Sequence, residues 1–317
     1  MIVAASSGRD DLARVYIVEY PGGGRVECAE SLQPPKPIEE KWVMLVSTLF
    51  GCPVGCPMCD AGTGYGGRLT AEEITDQIMM MVRKRYPDLR VPAGQFKVQF
   101  ARMGEPALNP DVITVLRELP ESIDAPGFMP SISTVAPRGT DRFFRDLIQV
   151  KNDLYRGGRF QLQFSLHTTD PERRRKLVPV KTWSMEEMAR YGEEFMSPGD
   201  RKVTLNFALA VDSPLCPDVL LEHFDPEVFL LKITPLNPTC RAMENGLSTC
   251  VDPDSPDSAA SVVSALEKAG YDVIVSIGEQ EENRIGSNCG QYLRTWLEKG
   301  SAPEGGYTYP LMNGCRE

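Results

Sequence analysis

Three closely spaced cysteines follow an apolar segment in the first quarter of the chain. Cys52, Cys56 and Cys59 lie within residues 51–60, at the spacing C-x3-C-x2-C. Thiolates are the protein ligands of iron–sulfur clusters, most of which take four of them. Because this loop supplies three, one iron of a [4Fe–4S] cluster would remain open to a substrate. The spacing therefore predicts a cluster that takes part in catalysis.

A structural zinc site and a chance grouping are the alternatives for these cysteines. Structural zinc takes four Cys or His ligands, and the chain contains only two histidines, His167 and His223. The nine cysteines are an odd number in a chain of 317 residues, which does not favour a disulfide framework. We therefore favour the cluster over zinc.

A Gly-Glu-Pro triplet follows the second predicted strand, and other polar residues end later strands. Gly104 and Glu105 belong to the segment ArgMetGlyGluPro, residues 102–106. The polar residues at later strand ends are Ser133, Ser165, His167 and Asn237. Active sites of α/β barrels form at the carboxyl ends of the strands, so we expect these side chains around one cavity. Taken singly, each is equally typical of a turn, a strand-end cap or a buried polar residue.

The elements that would position these residues alternate along the chain. Strand patterns are found at Trp42–Ser47, Phe96–Ala101, Met129–Thr134, Phe160–Leu166, Val203–Ala210 and Val228–Thr234. Helix patterns are found at Thr70–Arg85, Pro110–Leu119, Asp141–Val150, Ser184–Phe195 and Pro217–Phe224. Such alternation is typical of a parallel sheet. It predicts an α/β fold with a partial (β/α)6, TIM-like barrel over residues 42–238.

Two extensions flank the predicted barrel. Residues 1–41 contain two short strand patterns around ProGlyGlyGly, which predicts a β-hairpin between Arg14 and Glu30. Residues 239–317 contain a helix pattern, Ser258–Ala269, and a strand pattern, Asp272–Ile277.

Composition limits the class of protein and of partner. A hydrophobic fraction of 42% and a charged fraction of 25% are ordinary for a globular protein. No apolar run approaches the roughly 20 residues of a membrane span, and the first residues do not resemble a signal peptide, so we expect a cytoplasmic protein without membrane contact. The formal net charge of −10 makes nucleic acid a less favoured partner.

The cysteine loop closely resembles the cluster-binding motif of the radical S-adenosylmethionine (SAM) enzymes. The resemblance implies that SAM binds the open iron through its amino and carboxylate groups. An electron from the cluster then breaks a C–S bond, which gives methionine and a 5′-deoxyadenosyl radical. An electron donor such as flavodoxin or ferredoxin is implied.

The resemblance also implies roles for residues around the cluster. Gly104 and Glu105 match the segment that binds the methionyl amino group of SAM. Met58 stands where an aromatic residue is common in this superfamily, and we expect it to contact the adenine. The candidates for the ribose, carboxylate or adenine are Ser133, Ser165, His167 and Asn237.

Further segments are similar to those of the 23S ribosomal RNA adenine C2/C8-methyltransferases. They are found in the order of that family at residues 69–74, 103–109, 132–135, 165–179, 235–238 and 289–293, so the likeness covers nearly all of the chain from about Arg14. In that family the cysteine of a Cys-Gly-Gln segment accepts a methyl group from one SAM. A radical from a second SAM then abstracts hydrogen from this methyl, and the carbon adds to the substrate. The match makes Cys289 the acceptor, with a buried structural cysteine as the alternative.

Three features depart from that family. Leu45 replaces a first-strand cysteine that releases the covalent adduct, so another thiol or base is needed, or the substrate does not require this step. The candidate thiols are Cys28, Cys216, Cys240, Cys250 and Cys315. About 41 residues precede the first barrel strand, too few for the separate RNA-binding domain of the family. Glu279, Glu281 and Glu282 stand where the family is arginine-rich.

These departures favour a small-molecule substrate for a methylcysteine-dependent C-methyltransferase or a related carbon-transfer enzyme. One basic run, Arg173–Lys176, is equally typical of a solvated helix face. The alternatives are an RNA adenine methyltransferase without its RNA-binding domain and a radical SAM enzyme that does not transfer methyl groups.

Overall fold

The computed structural model describes residues 1–32, 36–62, 64–278 and 280–301. The strands are β1 (Ile2–Arg9), β2 (Ala13–Glu19), β3 (Arg25–Ser31), β4 (Lys41–Val46), β5 (Leu49–Phe50), β6 (Gly67–Arg68), β7 (Gln95–Phe100), β8 (Phe128–Thr134), β9 (Gln161–Ser165), β10 (Val203–Leu209), β11 (Phe229–Pro235) and β12 (Val273–Val275). The α-helices are α1 (Ala71–Arg85), α2 (Asp111–Ser122), α3 (Asp141–Leu154), α4 (Pro171–Leu177), α5 (Met185–Phe195), α6 (Pro217–Leu221), α7 (Cys240–Glu244), α8 (Ala260–Lys268), α9 (Gln280–Ile285) and α10 (Gln291–Lys299). Short 3-10 helices span Asp60–Gly62, Pro106–Leu108 and Pro256–Ala259.

Ten strands form one sheet in the order β1-β2-β3-β4-β7-β8-β9-β10-β11-β12, and β5 pairs with β6. From β4 to β12 all neighbouring strands are parallel. Six of these seven strands match the six strand patterns predicted for the barrel. The short β12 matches the strand pattern predicted at Asp272–Ile277 in the C-terminal extension. The predicted α/β fold with a parallel, partial-barrel sheet is confirmed.

The two faces of the parallel sheet differ in burial. Along β7 the side chains of Phe96, Val98 and Phe100 are fully buried, whereas their neighbours on the strand are half-buried. Trp42 of β4 stacks on Phe96 with ring centroids 5.1 Å apart. Since successive side chains of a strand point to opposite faces, one face forms the core under the helices and the other lines the lumen of the partial barrel.

Helix α1 begins where the sequence predicts it. The Thr70 hydroxyl accepts the backbone N–H of Glu73, and the Glu73 carboxylate accepts the backbone N–H of Thr70, which completes a capping box. The predicted helices at 110–119, 141–150, 184–195, 217–224 and 258–269 correspond to α2, α3, α5, α6 and α8. The helices that were not predicted are short: α4, α7, α9 and α10 have seven, five, six and nine residues, too few for a clear periodic pattern.

The N-terminal strands continue the barrel sheet. The predicted hairpin is formed by β2 and β3, from Ala13 opposite Ser31 to Glu19 opposite Arg25. Strand β3 also pairs with β4 through Ala29 and Leu45, so residues 1–41 share a sheet with the barrel. Strand β1 was not predicted, because Ala, Ser and Gly in its middle have weak strand preference. Among the described residues no helix is long and apolar enough to cross a membrane.

Candidate active site

The cysteine loop follows β5 at the carboxyl end of β4. All three thiols, those of Cys52, Cys56 and Cys59, are half-buried. The loop turns sharply at Gly51 and Gly55, both at φ +71°, a conformation that favours glycine. The Cys59 N–H donates to the Cys56 carbonyl at 3.1 Å, so the second and third cysteines belong to one tight turn.

The segment after β11 holds this loop from the side. The Asp60 carboxylate accepts the backbone N–H groups of Cys240 at 3.0 Å and Arg241 at 2.8 Å. The Arg241 guanidinium donates to the carbonyls of Gly62 at 3.0 Å and Gly55 at 3.2 Å. The carboxylate and the guanidinium therefore fix both halves of the cysteine loop to the start of α7.

The electrostatics of the three thiols suit a cationic centre. Burial raises the pKa of Cys52 to about 12, and negative charge on Cys59 and Glu105 adds to this effect. Burial also raises the pKa of Cys56, again with contributions from the other two cysteines. The sulfurs are thus near enough to oppose one another's ionisation. Thiolates of Cys52 and Cys56 are stable here only when a metal centre neutralises them, and the three-cysteine donor set fits an iron–sulfur cluster.

In the part of the chain that the structure describes, no three His, Cys, Asp or Glu side chains converge as ligands of a single metal ion. Convergence on one point is what a mononuclear zinc site requires. A cube of four irons instead takes one thiolate per iron.

Glu105 is buried at the end of β7. Its carboxylate accepts the Thr134 hydroxyl, the Val135 N–H at 2.9 Å and the Ala107 N–H at 3.0 Å. Burial outweighs these hydrogen bonds and raises the pKa of Glu105 to about 7. Gly104 adopts φ +98°, and a Cβ there would lie 2.6 Å from the Leu49 side chain. Only glycine therefore allows this turn to lie against the segment before the cysteine loop.

His167 is buried just after β9, with φ +68°. Its Nδ1 accepts the backbone N–H of Ala208 at 3.2 Å, which leaves the other ring nitrogen as the donor. Burial, assisted by the charge of Arg174, lowers the pKa of His167 to about 4. The imidazole is therefore neutral at pH 7 and offers an N–H, not a charge.

The remaining predicted residues lie along the same edge. Ser133 and Ser165 are half-buried at the ends of β8 and β9, and the Ser133 hydroxyl accepts from Gln163 at 3.2 Å. Asn237 is exposed in the segment after β11. That segment contacts the cysteine loop, because the Thr239 hydroxyl donates to the Met58 carbonyl at 2.8 Å. The structure thus brings Met58 and the residues after β11 together at one end of the barrel.

Cys289 lies against the cysteine loop. Its sulfur is 3.9 Å from the sulfur of Cys59 and within hydrogen-bonding contact of the Arg102 carbonyl. The hydrogen bond between the two thiols lowers the pKa of Cys59 and raises that of Cys289. Next to the thiol, Gly290 adopts φ +75°, and a Cβ there would overlap the backbone of Asp60 and Ala61.

A buried ion pair holds the Cys289 segment. Glu27 on β3 and Arg102 after β7 are 0% and 1% exposed, and their charged groups are 2.7 Å apart. The Glu27 carboxylate accepts the N–H groups of Gly290 at 2.6 Å and Leu293 at 2.9 Å. The Arg102 guanidinium donates to the carbonyls of Gly286 and Ser287. Glycines make such a segment mobile in isolation, but here both ends of the turn are fixed.

The thiols proposed to replace the first-strand cysteine differ in position. Leu45 is half-buried on the lumen face of β4. Cys28 is fully buried on β3, Cys240 begins α7 beside the cysteine loop, and Cys216 precedes α6. Cys250 is half-buried after β10 and is bonded in a disulfide, so it is not a free thiol and this candidate is wrong. Cys315 lies outside the described residues, as does Glu279.

Structural comparison identifies the fold. The chain is similar to the crystal structure of a radical SAM methyltransferase from Sphaerobacter thermophilus, with a TM-score of 0.68 over 92% of this chain and 80% of that one, at 20% identity. The likeness shows that the chain shares the fold of that enzyme.

Sequence comparison narrows the relationship. The chain is 26% identical over 300 residues to a probable dual-specificity RNA methyltransferase RlmN from Desulfitobacterium hafniense, which covers 91% of this chain and 77% of the relative. It is 30% identical over 179 residues to the protein of that name from Thermus thermophilus, which covers 55% and 47%. No protein-family model matches. The chain is therefore related to the RlmN-like radical SAM methyltransferases.

The residues that position the two cysteine segments were not found from sequence. They are Glu27, Asp60, Arg102, Arg241 and Arg294, the last of which pairs with Asp60 at 3.2 Å. One available signal was an acidic residue within the apolar pattern of β3, where a buried carboxylate requires a partner. Its partner is 75 residues away, and no local pattern connects the two.

We expect Arg102→Met to destabilise the protein by about 3–5 kcal/mol, because it leaves the Glu27 carboxylate buried without a counter-ion. The double variant Glu27→Gln, Arg102→Met removes both charges and is expected to lose less. Urea unfolding of the wild type and the variants measures this difference. An equal loss in the single and double variants would contradict the ion pair.

Proposed function

We propose that this chain is a methylcysteine-dependent radical SAM C-methyltransferase that acts on a small molecule. The observation that carries the proposal is the position of Cys289, whose sulfur is 3.9 Å from that of Cys59. A methyl acceptor must reach both the SAM methyl group and, later, the 5′ carbon of a cleaved SAM. A thiol at the edge of the cluster loop satisfies both requirements.

Cys52, Cys56 and Cys59 would hold a [4Fe–4S] cluster. When bound, this group supplies the electron that cleaves SAM, and a flavodoxin or ferredoxin would renew that electron. The surrounding residues bind and orient. The Glu105 carboxylate would receive the methionyl ammonium, and the backbone around Met58 would border the adenine. Ser133, Ser165, His167 and Asn237 offer further hydrogen-bonding groups at the same edge.

Cys289 would first become S-methylated. The S–H bond breaks, the proton leaves, and the sulfur takes the methyl group of SAM with release of S-adenosylhomocysteine. Because the thiolate is the nucleophile, the Cys289 proton must be lost before transfer. The Glu27–Arg102 pair fixes the backbone of this residue, so the sulfur has little freedom to leave the site.

The charge near the acceptor supports a small substrate. Glu281 and Glu282 lie on α9, just before the Cys289 turn. Glu281 pairs with Arg9 at 2.8 Å, and Glu282 accepts the Ser31 hydroxyl at 3.0 Å, so both carboxylates are directed to the N-terminal strands. RNA phosphates are bound mainly by positively charged and N–H groups, and the negatively charged carboxylates of Glu281 and Glu282 cannot serve as such contacts.

An RNA adenine is the second candidate substrate, favoured by the similarity to the probable RNA methyltransferases from Desulfitobacterium and Thermus. A groove with a volume of about 950 Å³, beside α4 and α5, also contains Arg138, Arg174, Arg175 and Lys181. Methylation of RNA transcripts but not of any metabolite extract would select this candidate. SAM cleavage without methylation of any substrate or of Cys289 would select a radical SAM enzyme of another kind.

We expect Cys56→Ala to lose the cluster and all SAM cleavage, because only two thiolates remain. Iron content and 5′-deoxyadenosine after anaerobic reconstitution measure both effects. The matched control is Cys216→Ala, which removes a half-buried thiol outside the loop and should retain roughly four irons. Full 5′-deoxyadenosine production by Cys56→Ala would contradict the cluster assignment.

For Cys289, mass spectrometry of the purified protein should find a methyl group on this residue. With deuterated-methyl SAM, a carrier mechanism transfers one deuterium to 5′-deoxyadenosine, because the radical abstracts it from the methylated thiol. Unlabelled 5′-deoxyadenosine during product formation, or normal product formation by Cys289→Ala, would exclude Cys289 as the carrier.

The affinity for SAM is expected to rise with pH between 5.5 and 7.5. Glu105 is protonated below its raised pKa of about 7, and a neutral carboxyl binds an ammonium group less well than a carboxylate. The dissociation constant should increase towards tenfold per pH unit well below 7. Equilibrium binding of SAM measures it. Glu105→Gln should bind weakly without this pH dependence, whereas the exposed Glu118→Gln should behave as wild type.

A further inference from the structure

Two lysines occupy the lumen face of the parallel sheet. Lys97 of β7 alternates with the buried Phe96 and Val98, and Lys232 of β11 alternates with the buried Leu231 and Ile233. Both lysines are half-buried. By the alternation of side chains along a strand, both point away from the helix-covered core and into the barrel.

The position of each lysine along its strand gives its depth. Lys97 is paired with Val43 and Met129 on its neighbouring strands, and Lys232 with Asn206. Each lysine stands three residues before the last residue of its strand. At about 3.3 Å per residue, both lie roughly 10 Å below the carboxyl edge. By this count the two lysines lie at similar depths, on strands that β8, β9 and β10 separate.

Neither ammonium group has a hydrogen bond or an ion pair with any of the residues that the structure describes. Lys151 provides a comparison, because it is a buried lysine with a structural role. Its side chain is fully buried, and its ammonium group pairs with Asp200 at 2.6 Å and donates to Ser197 at 3.2 Å. Lys97 and Lys232 lack such a counter-ion although acidic residues outnumber basic ones in the chain, 44 to 34.

Neighbouring positive charges act on both lysines. Burial lowers the pKa of Lys97 to about 7, and the charges of Lys232, Lys41 and Arg201 contribute to the shift. Burial and Lys41 likewise lower the pKa of Lys232. Lys41 begins β4 on the same face, nearer the amino end. Repulsion between positive charges is relieved when an anion binds beside them.

We propose that Lys97 and Lys232 form a binding site for an anionic group, a phosphate or a carboxylate, on the small-molecule substrate. This inference rests on the proposed function and specifies the substrate class. Asn206 beside Lys232, and Gln99 two residues above Lys97, provide amide donors in the same wall. A substrate anchored here projects its other end towards the carboxyl edge, where Cys289 and the cysteine loop lie.

The lumen position excludes the methionyl carboxylate of SAM as the natural occupant. Gly104, Glu105 and Asn237 all follow the ends of their strands, above the level of the lysines. A lysine pair at mid-strand depth suits a compact anion carried by a small molecule. It suits the repeated phosphates of an RNA backbone poorly, because those bind at surfaces.

The test measures binding of inorganic phosphate to the purified full chain, with acetate as the carboxylate probe. Calorimetric titration should show one phosphate site, and the affinity should fall at least tenfold in Lys97→Met and in Lys232→Met. Lys176→Met removes an exposed lysine of α4 and should leave the affinity unchanged. Tighter binding of phosphate than acetate indicates a phosphorylated substrate, and the reverse order a carboxylated one.

A second measurement does not depend on folded variants. Phosphate should protect Lys97 and Lys232 of the wild type, but not Lys176, from acetylation by acetic anhydride, mapped by mass spectrometry. Equal acetylation with and without phosphate, or no difference in phosphate affinity between the wild type and both variants, would overturn the site. Methylation of Cys289 is measured in the same preparations. If it persists while phosphate fails to bind, the lumen site alone is wrong.

Discussion

The ion pair between Glu27 and Arg102 connects three distant parts of the chain. Glu27 belongs to the N-terminal hairpin, Arg102 follows the second barrel strand, and their polar atoms hold the turn that carries Cys289. A pair with 0% and 1% exposure is stable only while both charges remain hydrogen-bonded. The hairpin therefore belongs to the architecture of the candidate site, since removing it would leave Arg102 uncompensated beside Cys289.

Two ionisable side chains, Glu105 and His167, are buried at this end of the barrel. Glu105 is buried with three donors and titrates near neutrality, whereas His167 is buried and stays neutral. Both groups depend on the surrounding backbone for their orientation. A ligand ammonium would shift the balance at Glu105 towards the carboxylate. Binding and protonation are therefore linked at the residue that would hold SAM.

Local sequence patterns predicted the main strands and helices, but not the features that depend on tertiary contacts. The alternation of apolar residues found all six main barrel strands, and the Thr70–Glu73 capping box predicted the start of α1. The five-residue helix α7 has no such pattern, yet it supports the cysteine loop through Arg241. Nor could the sequence show that Lys97 and Lys232 lie at similar depths, because strand register and depth depend on the whole sheet.

Gly290 fixes the distance between the Cys289 segment and the cysteine loop. Its Cα lies so close to the backbone of Asp60 and Ala61 that any side chain would push the two segments apart. The separation of the Cys59 and Cys289 sulfurs is thus set by contact between main chains. Substitutions elsewhere can retune the charge or the shape of the cavity without moving the two thiols apart. The walls of the barrel could therefore change to fit new ligands while the spacing of Cys59 and Cys289 stays the same.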